Sequence, residues 1–279
     1  MNFLYPLLSI IGEATAKTID KFNLKIHKIN YKQLIFLVFS IRGLEILLFI
    51  VLLQIRFPKL NFLLTLLILI MILVSFLQNI FEFKGLSFKD LSYRQPISDF
   101  QPLLASFMAF LIFPSEREIK YLIAICLGSI VLYWVNLQKN KLRKIDKGTW
   151  YILGGVFFQA LLSNLYKLGL NSISPEYILL FRTLGVLLLL LIFTKVNFKY
   201  ITLKQGSFGI ISGILYLVGS LAVLYSIKVF GLQFSILIIM LNSILMYWLS
   251  FLFLKEKIEF KKVISSFVLI CLVVAIIIF

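Results

Sequence analysis

Ser9, Glu13, Lys17 and Asp20 fall at steps of four, four and three in a segment that is otherwise mostly apolar. On a helix those steps place all four on one face. A charged side chain near a bilayer centre costs about 2.5–3.5 kcal/mol on insertion scales. A stripe of this kind must therefore face protein or a water-filled cavity. Glu13, an acid well inside a span, is a candidate both for substrate binding and for proton coupling. The competing reading is a pair with Lys17, one turn away. A carboxyl in a cavity holds a proton or a cationic substrate but not both, and that competition would couple proton flow to export.

Further stripes recur along the chain. Ser75, Gln78, Asn79 and Glu82 share one helical face, as do Gln95, Ser98, Asp99, Pro102 and Ser106. Gln159, Ser163 and Lys167 form another, with Asn164 beside it; Ser212, Tyr216 and Ser220 form a fourth, and Asn242 and Ser243 fall in a later segment. From these the candidate substrate contacts are Glu13, Gln78, Asn79, Gln159, Asn164, Tyr216 and Asn242. For each single residue the plainer alternative is a hydrogen bond between helices. Gly209 and Gly213 are spaced for close helix packing. Arg42 and Glu45, three apart, read as a structural ion pair. Glu82 and Asp99 sit near the ends of their segments. Cys126 and Cys271 lie inside apolar runs and the single histidine, His27, lies in a connector, so neither a disulfide framework nor a metal-ligand spacing is present. No phosphate loop, HExxH or dinucleotide fingerprint occurs, and the expectation is no cofactor and no metal.

The elements that must position these residues are membrane helices. The 279 residues are 61% hydrophobic and 14% charged, with a mean hydropathy of +1.02. Soluble domains carry about 25% charged residues. A net charge of +16 raises nucleic acid as a partner. The bases, however, lie in short connectors between apolar runs rather than in one patch, which excludes it. With about 20 apolar residues per span, spans are expected near 2–20, 31–54, 60–82, 93–113, 119–138, 149–168, 174–195, 205–227, 231–254 and 262–279. No connector is long enough for a soluble domain. The first run has no Lys or Arg before it and is interrupted by charge, so it is a poor cleavable signal peptide.

The ten segments read as two sets of five. Arg42 to Glu116 is 74 residues, and so is Arg182 to Glu256. Glu13 and Lys21 are eight apart at the head of one set; Gln159 and Lys167 are eight apart at the head of the other. Two sets with an odd number of spans must sit in opposite orientations. The expected fold class is an all-α integral membrane protein of ten transmembrane helices in two five-helix inverted-topology repeats. Residues 1–138 would form the first, 139–148 a basic connector and 149–279 the second. Nineteen Lys and Arg residues fall in connectors after odd-numbered spans and five in those after even-numbered ones, which places both termini outside.

The pattern resembles the drug/metabolite transporter superfamily, and within it the ten-span EamA-type family. The resemblance covers nearly the whole chain. It rests on the two five-span halves, Arg42 and Arg182 in the second spans, Pro102 in the fourth, and the segments Ser-Glu-Arg-Glu (115–118) and Lys-Glu-Lys-Ile-Glu (255–259) before each closing span. The first span is also similar to that of the small multidrug resistance relatives, which carry a proton- and drug-binding Glu followed by a Lys eight residues on, here Glu13 and Lys21. The chain departs from the family in having Ser115 and Lys255 where Gly usually precedes the loop Glu, and Asn242 as counterpart of the proline. The resemblance implies alternating access, often with proton coupling. The expected function is secondary transport, in the export direction, of a small metabolite or organic cation across the cytoplasmic membrane, by a monomer or homodimer. A flippase-like carrier of a lipid-linked substrate is the alternative. A membrane-embedded enzyme or assembly factor would want a nucleophile–base pair or a metal site, and neither is visible.

Overall fold

The computed structural model describes residues 3–88, 97–98, 100–136, 147–194, 201–255 and 260–278. Among them the regular structure is helical: α1 (Leu4–Lys25), α2 (Tyr31–Leu52), α3 (Phe62–Phe88), α4 (Phe100–Ile112), α5 (Ile119–Asn136), α6 (Lys147–Leu170), α7 (Pro175–Phe193), α8 (Leu203–Phe230), α9 (Leu232–Ile239), α10 (Asn242–Leu254) and α11 (Phe260–Ile278). Their starts follow local chemistry. Asn30 with Gln33 forms a capping box at α2, and Thr202 with Gln205 does the same at α8. Pro175 opens α7, where its missing N–H costs nothing.

Five helical stretches are long and apolar enough to cross a membrane: Tyr31–Leu52, Phe62–Phe88, Pro175–Phe193, Leu203–Phe230 and the broken rod Leu232–Leu254. Three further apolar stretches, Phe100–Ile112, Ile119–Trp134 and Val263–Leu272, are shorter. α1 and α6 have 22 and 24 residues, enough length to span, but carry the polar stripes. The chain is an all-helical membrane protein. Its outer surface is oily: Leu52, Phe62, Leu63, Ile192, Phe193 and Phe260 are all strongly exposed, as lipid-facing side chains must be.

α1 packs along α8, and α3 along α6. α2 rests on α8 and α7, while α7 also rests on α3; α10 touches α1, α4 touches α6, and α5 pairs with α11. Glycines permit the closest crossings. A Cβ on Gly12 would stand 2.8 Å from Gly219 N and Leu215 O, so α1 and α8 meet backbone to backbone. Gly209 and Gly213 receive Leu37 and Ile41, which seats α8 on α2 and agrees with their reading as packing positions.

Several boundaries differ from the expectation. α1 continues to Lys25 and α3 to Phe88, so Glu82 lies inside a helix rather than at its end. The ninth rod is broken at Met240–Leu241, where Leu241, Ser243 and Ile244 donate to carbonyls only three residues back. Asn242, the first residue after the break, stands at the 140-residue offset from Pro102. Arg42 and Glu45 do not form the expected ion pair; Nε and Nη1 of Arg42 and Oε2 of Glu45 are all without a hydrogen-bond partner. Gln95, Asp99, residues 139–146 and residues 256–259 lie outside the described residues.

Candidate functional site

The polar stripes of α1, α3, α6 and α8 converge on one cavity in the middle of the bundle. It has two communicating chambers. The first, about 660 Å³ including its mouth, is lined by Glu13 and Lys17 of α1, Phe39 and Arg42 of α2, and Gln78, Asn79 and Glu82 of α3. Gln159, Ser163 and Tyr166 of α6, Arg182 of α7, and Tyr216 and Ser220 of α8 complete it. The second, about 830 Å³ including its mouth, shares Glu13, Lys17, Gln159 and Ser163 and extends over Ser98, Gln101 and Pro102 to the broken rod at Ile236, Met240 and Asn242. Lys17, Glu82 and Gln159 also border a smaller recess against Ile152 and Gly155.

Two charge clusters border the first chamber. In one, Lys17 Nζ lies 3.9 Å from Glu13 Oε2 and 3.8 Å from Glu82 Oε1, so one ammonium serves two carboxylates on different helices. Gln78 donates to Glu82, and Asn79 donates to Gln78 Oε1 at 2.8 Å and to Ser75 O at 2.7 Å. The acid, the base and the two amides are thus joined in one network. The other cluster is cationic. The guanidiniums of Arg42 and Arg182 stand 4.9 and 6.0 Å from the ring centroid of Phe39; Arg42 is also 5.0 Å from the Tyr216 ring and Arg182 5.7 Å from the Tyr166 ring. Aromatic faces favour cations and let an arginine be buried without a carboxylate.

One end of the bundle is fastened by a third charged residue. Glu116, in the short 3-10 turn Pro114–Glu116, is buried. Its carboxylate accepts from Leu232 N at 2.8 Å and Gln233 N at 3.0 Å, the free amides that open α9, and pairs with Lys167 Nζ at 2.9 Å. A helix N-terminus offers unsatisfied donors and a favourable dipole to such a carboxylate.

Residues 146–279 match the EamA-like transporter family. Over those residues, just under half of the chain, the sequence is EamA-like, as the drug/metabolite transporter resemblance anticipates. Members of this family are transporters rather than enzymes. A solved structure titled only "Crystal structure of protein" superposes with a TM-score of 0.80 at 11% identity, over 98% of this chain and 94% of that one, which establishes the shared fold. No curated protein matches the chain.

In this bundle six of the seven expected contacts border the cavity: Glu13, Gln78, Asn79, Gln159 and Tyr216 in the first chamber, Glu13 and Gln159 again in the second, and Asn242 in the second. Asn164 does not. Its Nδ2 donates to Ala105 O at 3.1 Å and Ala160 O at 2.9 Å, which ties α6 to α4. The α1 stripe is longer than the cavity. Asp20 is covered by Ser212 of α8, which donates to it, and Ser9 Oγ returns to Pro6 O at 2.6 Å. Arg42, Arg182, Lys17, Glu82 and Tyr166 border the site without having been singled out as contacts. For Arg42 and Arg182 a signal existed: two cations inside apolar runs, 140 residues apart.

Proposed function

We propose that this protein is a secondary active transporter that moves a small polar metabolite across a cell membrane by alternating access. The observation that carries the reading is a cavity bordered by charged and amide side chains from both halves of the chain, inside an apolar bundle. Its fold would be ten spans in two inverted five-helix repeats, residues 1–138 and 149–279. The reciprocal packing supports this: the first rod of each half lies along the third rod of the other, and the fourth rod of each half touches the first of the other. The discontinuous ninth rod, ending beside the cavity, is of the kind found where irregular backbone borders a substrate path. Export, proton coupling through Glu13 and outside termini belong to the same proposal.

Reconstitution into liposomes tests it. Radiolabelled small acids, amines and neutral solutes are presented with and without a pH gradient, to the native protein and to Glu13→Gln. Accumulation of one solute class, driven by the gradient and lost in Glu13→Gln, is the expected result. Accumulation that survives the substitution removes the coupling role from Glu13. Absence of flux for every class, with correctly folded protein in sealed vesicles, overturns the transporter reading.

A further inference from the structure

The first chamber is bordered by two charge centres of opposite sign: Glu13, Lys17 and Glu82 sum to −1, and Arg42 and Arg182 to +2. Glu13 and Glu82 are served by Lys17. Arg42 and Arg182 are served by no carboxylate among the described residues. Arg182 Nε donates to Ser75 Oγ at 2.7 Å. Arg42 is only 3% exposed, it borders the chamber, and its Nε and Nη1 have no hydrogen-bond partner. A buried guanidinium with two unmade hydrogen bonds is expensive unless something supplies acceptors. Two like charges over one phenyl ring add mutual repulsion, which an anion between them would relieve. Around the first chamber the lining carries two carboxylates against three cations, so a single negative charge balances it.

We infer that the Phe39 face of the chamber, between Arg42 and Arg182, is a carboxylate-binding subsite, and that the transported solute is a small organic monoanion. This rests on the transporter reading only for the word transported. A carboxylate presents two oxygens to the planar fork of a guanidinium, a match that an ammonium or amide cannot make. A phosphate monoester carries close to two charges and would overshoot the balance. The walls adjoining the arginines are Phe39, Tyr166 and Tyr216, so an aromatic or otherwise flat apolar body suits the space beside the carboxylate. The Glu13–Lys17–Glu82 cluster borders the same chamber and is left to the proton.

Binding to the purified full-length protein in detergent tests the inference with three matched probes: phenylacetate, phenylacetamide and 2-phenylethylamine. On the unaltered protein phenylacetate should bind at least about tenfold more tightly than the other two. Arg42→Lys keeps the charge and loses the fork, and Arg182→Gln loses the charge; each should weaken phenylacetate about tenfold or more and leave phenylacetamide nearly unchanged. Surface Ser207→Ala serves as a handling control. Equal or tighter binding of the amide or amine overturns the inference, whether or not the variants fold. So does phenylacetate binding that neither arginine substitution alters. Flux of the same three compounds separates the two proposals: amine flux without phenylacetate binding removes the subsite and keeps the transporter. Phenylacetate binding without flux of any solute keeps the subsite and removes the transporter.

Discussion

Glu116→Ala should be among the most destabilising single changes in the chain outside the cavity. The carboxylate has three partners within 3.0 Å, Leu232 N, Gln233 N and Lys167 Nζ. The substitution strands two amides at the opening of α9 and leaves Lys167, itself mostly covered, without its counter-charge. Each buried donor left unpaired costs about 1–3 kcal/mol, and breaking a buried ion pair from one side costs about 3–5 kcal/mol. These costs overlap, and the water that reaches Lys167 softens the last of them, so the expected loss is about 4 kcal/mol. Glu116→Gln keeps an acceptor for the amides but not the charge and should cost about half as much. Lys167→Met, combined with Glu116→Ala, removes the stranded ammonium and should recover about 1–2 kcal/mol relative to Glu116→Ala alone.

Gly231 reports on the same clasp. Its φ is +87°, and a Cβ there would stand 2.8 Å from Glu116 Oε1. Gly231→Ala should therefore cost about 2–3 kcal/mol in the native background, part from the left-handed backbone and part from the displaced carboxylate. In the Glu116→Ala background only the backbone part should persist. Denaturant titration in mixed micelles of the native protein and these five single and double variants reads out the differences. A Glu116→Ala loss within about 1 kcal/mol of zero, or strictly additive effects of the two sites, would refute the clasp.

Other expectations follow from the geometry. Gly12→Val should lower the unfolding midpoint by the equivalent of about 3 kcal/mol, because its Cβ meets the α8 backbone rather than a side chain that can swing away; Gly206→Ala, with nothing within 4 Å, should be neutral or stabilise by up to about 1 kcal/mol. Asn164→Ala should cost about 1 kcal/mol of stability through its two lost bonds and leave solute affinity unchanged in a binding titration. Cytoplasm-dependent reporters fused at either end should be inactive, and a reporter inserted in the 139–146 connector active, if both termini lie outside.

How far the site was legible in the sequence depends on what a stripe can and cannot say. Helical periodicity brings Glu13, Gln78, Asn79, Gln159 and Tyr216 to the cavity because it states which face a residue occupies. It does not state depth. Asp20 shares the angular position of Glu13 but lies seven residues along the axis, about 10 Å further at the helical rise, where Ser212 covers it. Nor does a stripe show its own edge. Asn164 follows Ser163 by one residue, a rotation of about 100°, which points it at α4 instead of at the cavity. The break before Asn242 had no warning, since no Pro or Gly falls at residues 239–243. Arg42 was assigned to Glu45 because sequence spacing offers only neighbours on the same helix as partners. The rings that receive it come from Phe39 on its own helix and from Tyr216, 174 positions away.

The charge of the cavity is decided by where the two halves differ. Arg42 and Arg182 occupy equivalent positions at the 140-residue offset and both are cationic. The acidic cluster has no such echo: Glu13 and Lys17 are spaced as Gln159 and Ser163 are, and Glu82 falls opposite Ala222. Two identical halves would bring two arginines and two copies of a cluster of charge −1, leaving the cavity neutral. With the acidic cluster present once, the lining sums to +1, and the anion subsite follows from that imbalance. Gln159→Glu, which is nearly isosteric and already borders both chambers, restores one of the missing acids. At a separation on the order of 10 Å and an effective dielectric of about 20, one added negative charge is worth about 1.7 kcal/mol against a bound carboxylate, somewhat more than tenfold in affinity. Phenylacetate should therefore lose its advantage over phenylacetamide in Gln159→Glu, while 2-phenylethylamine gains. An unchanged order of the three probes in a folded Gln159→Glu protein would mean that the balance of lining charges does not select the solute.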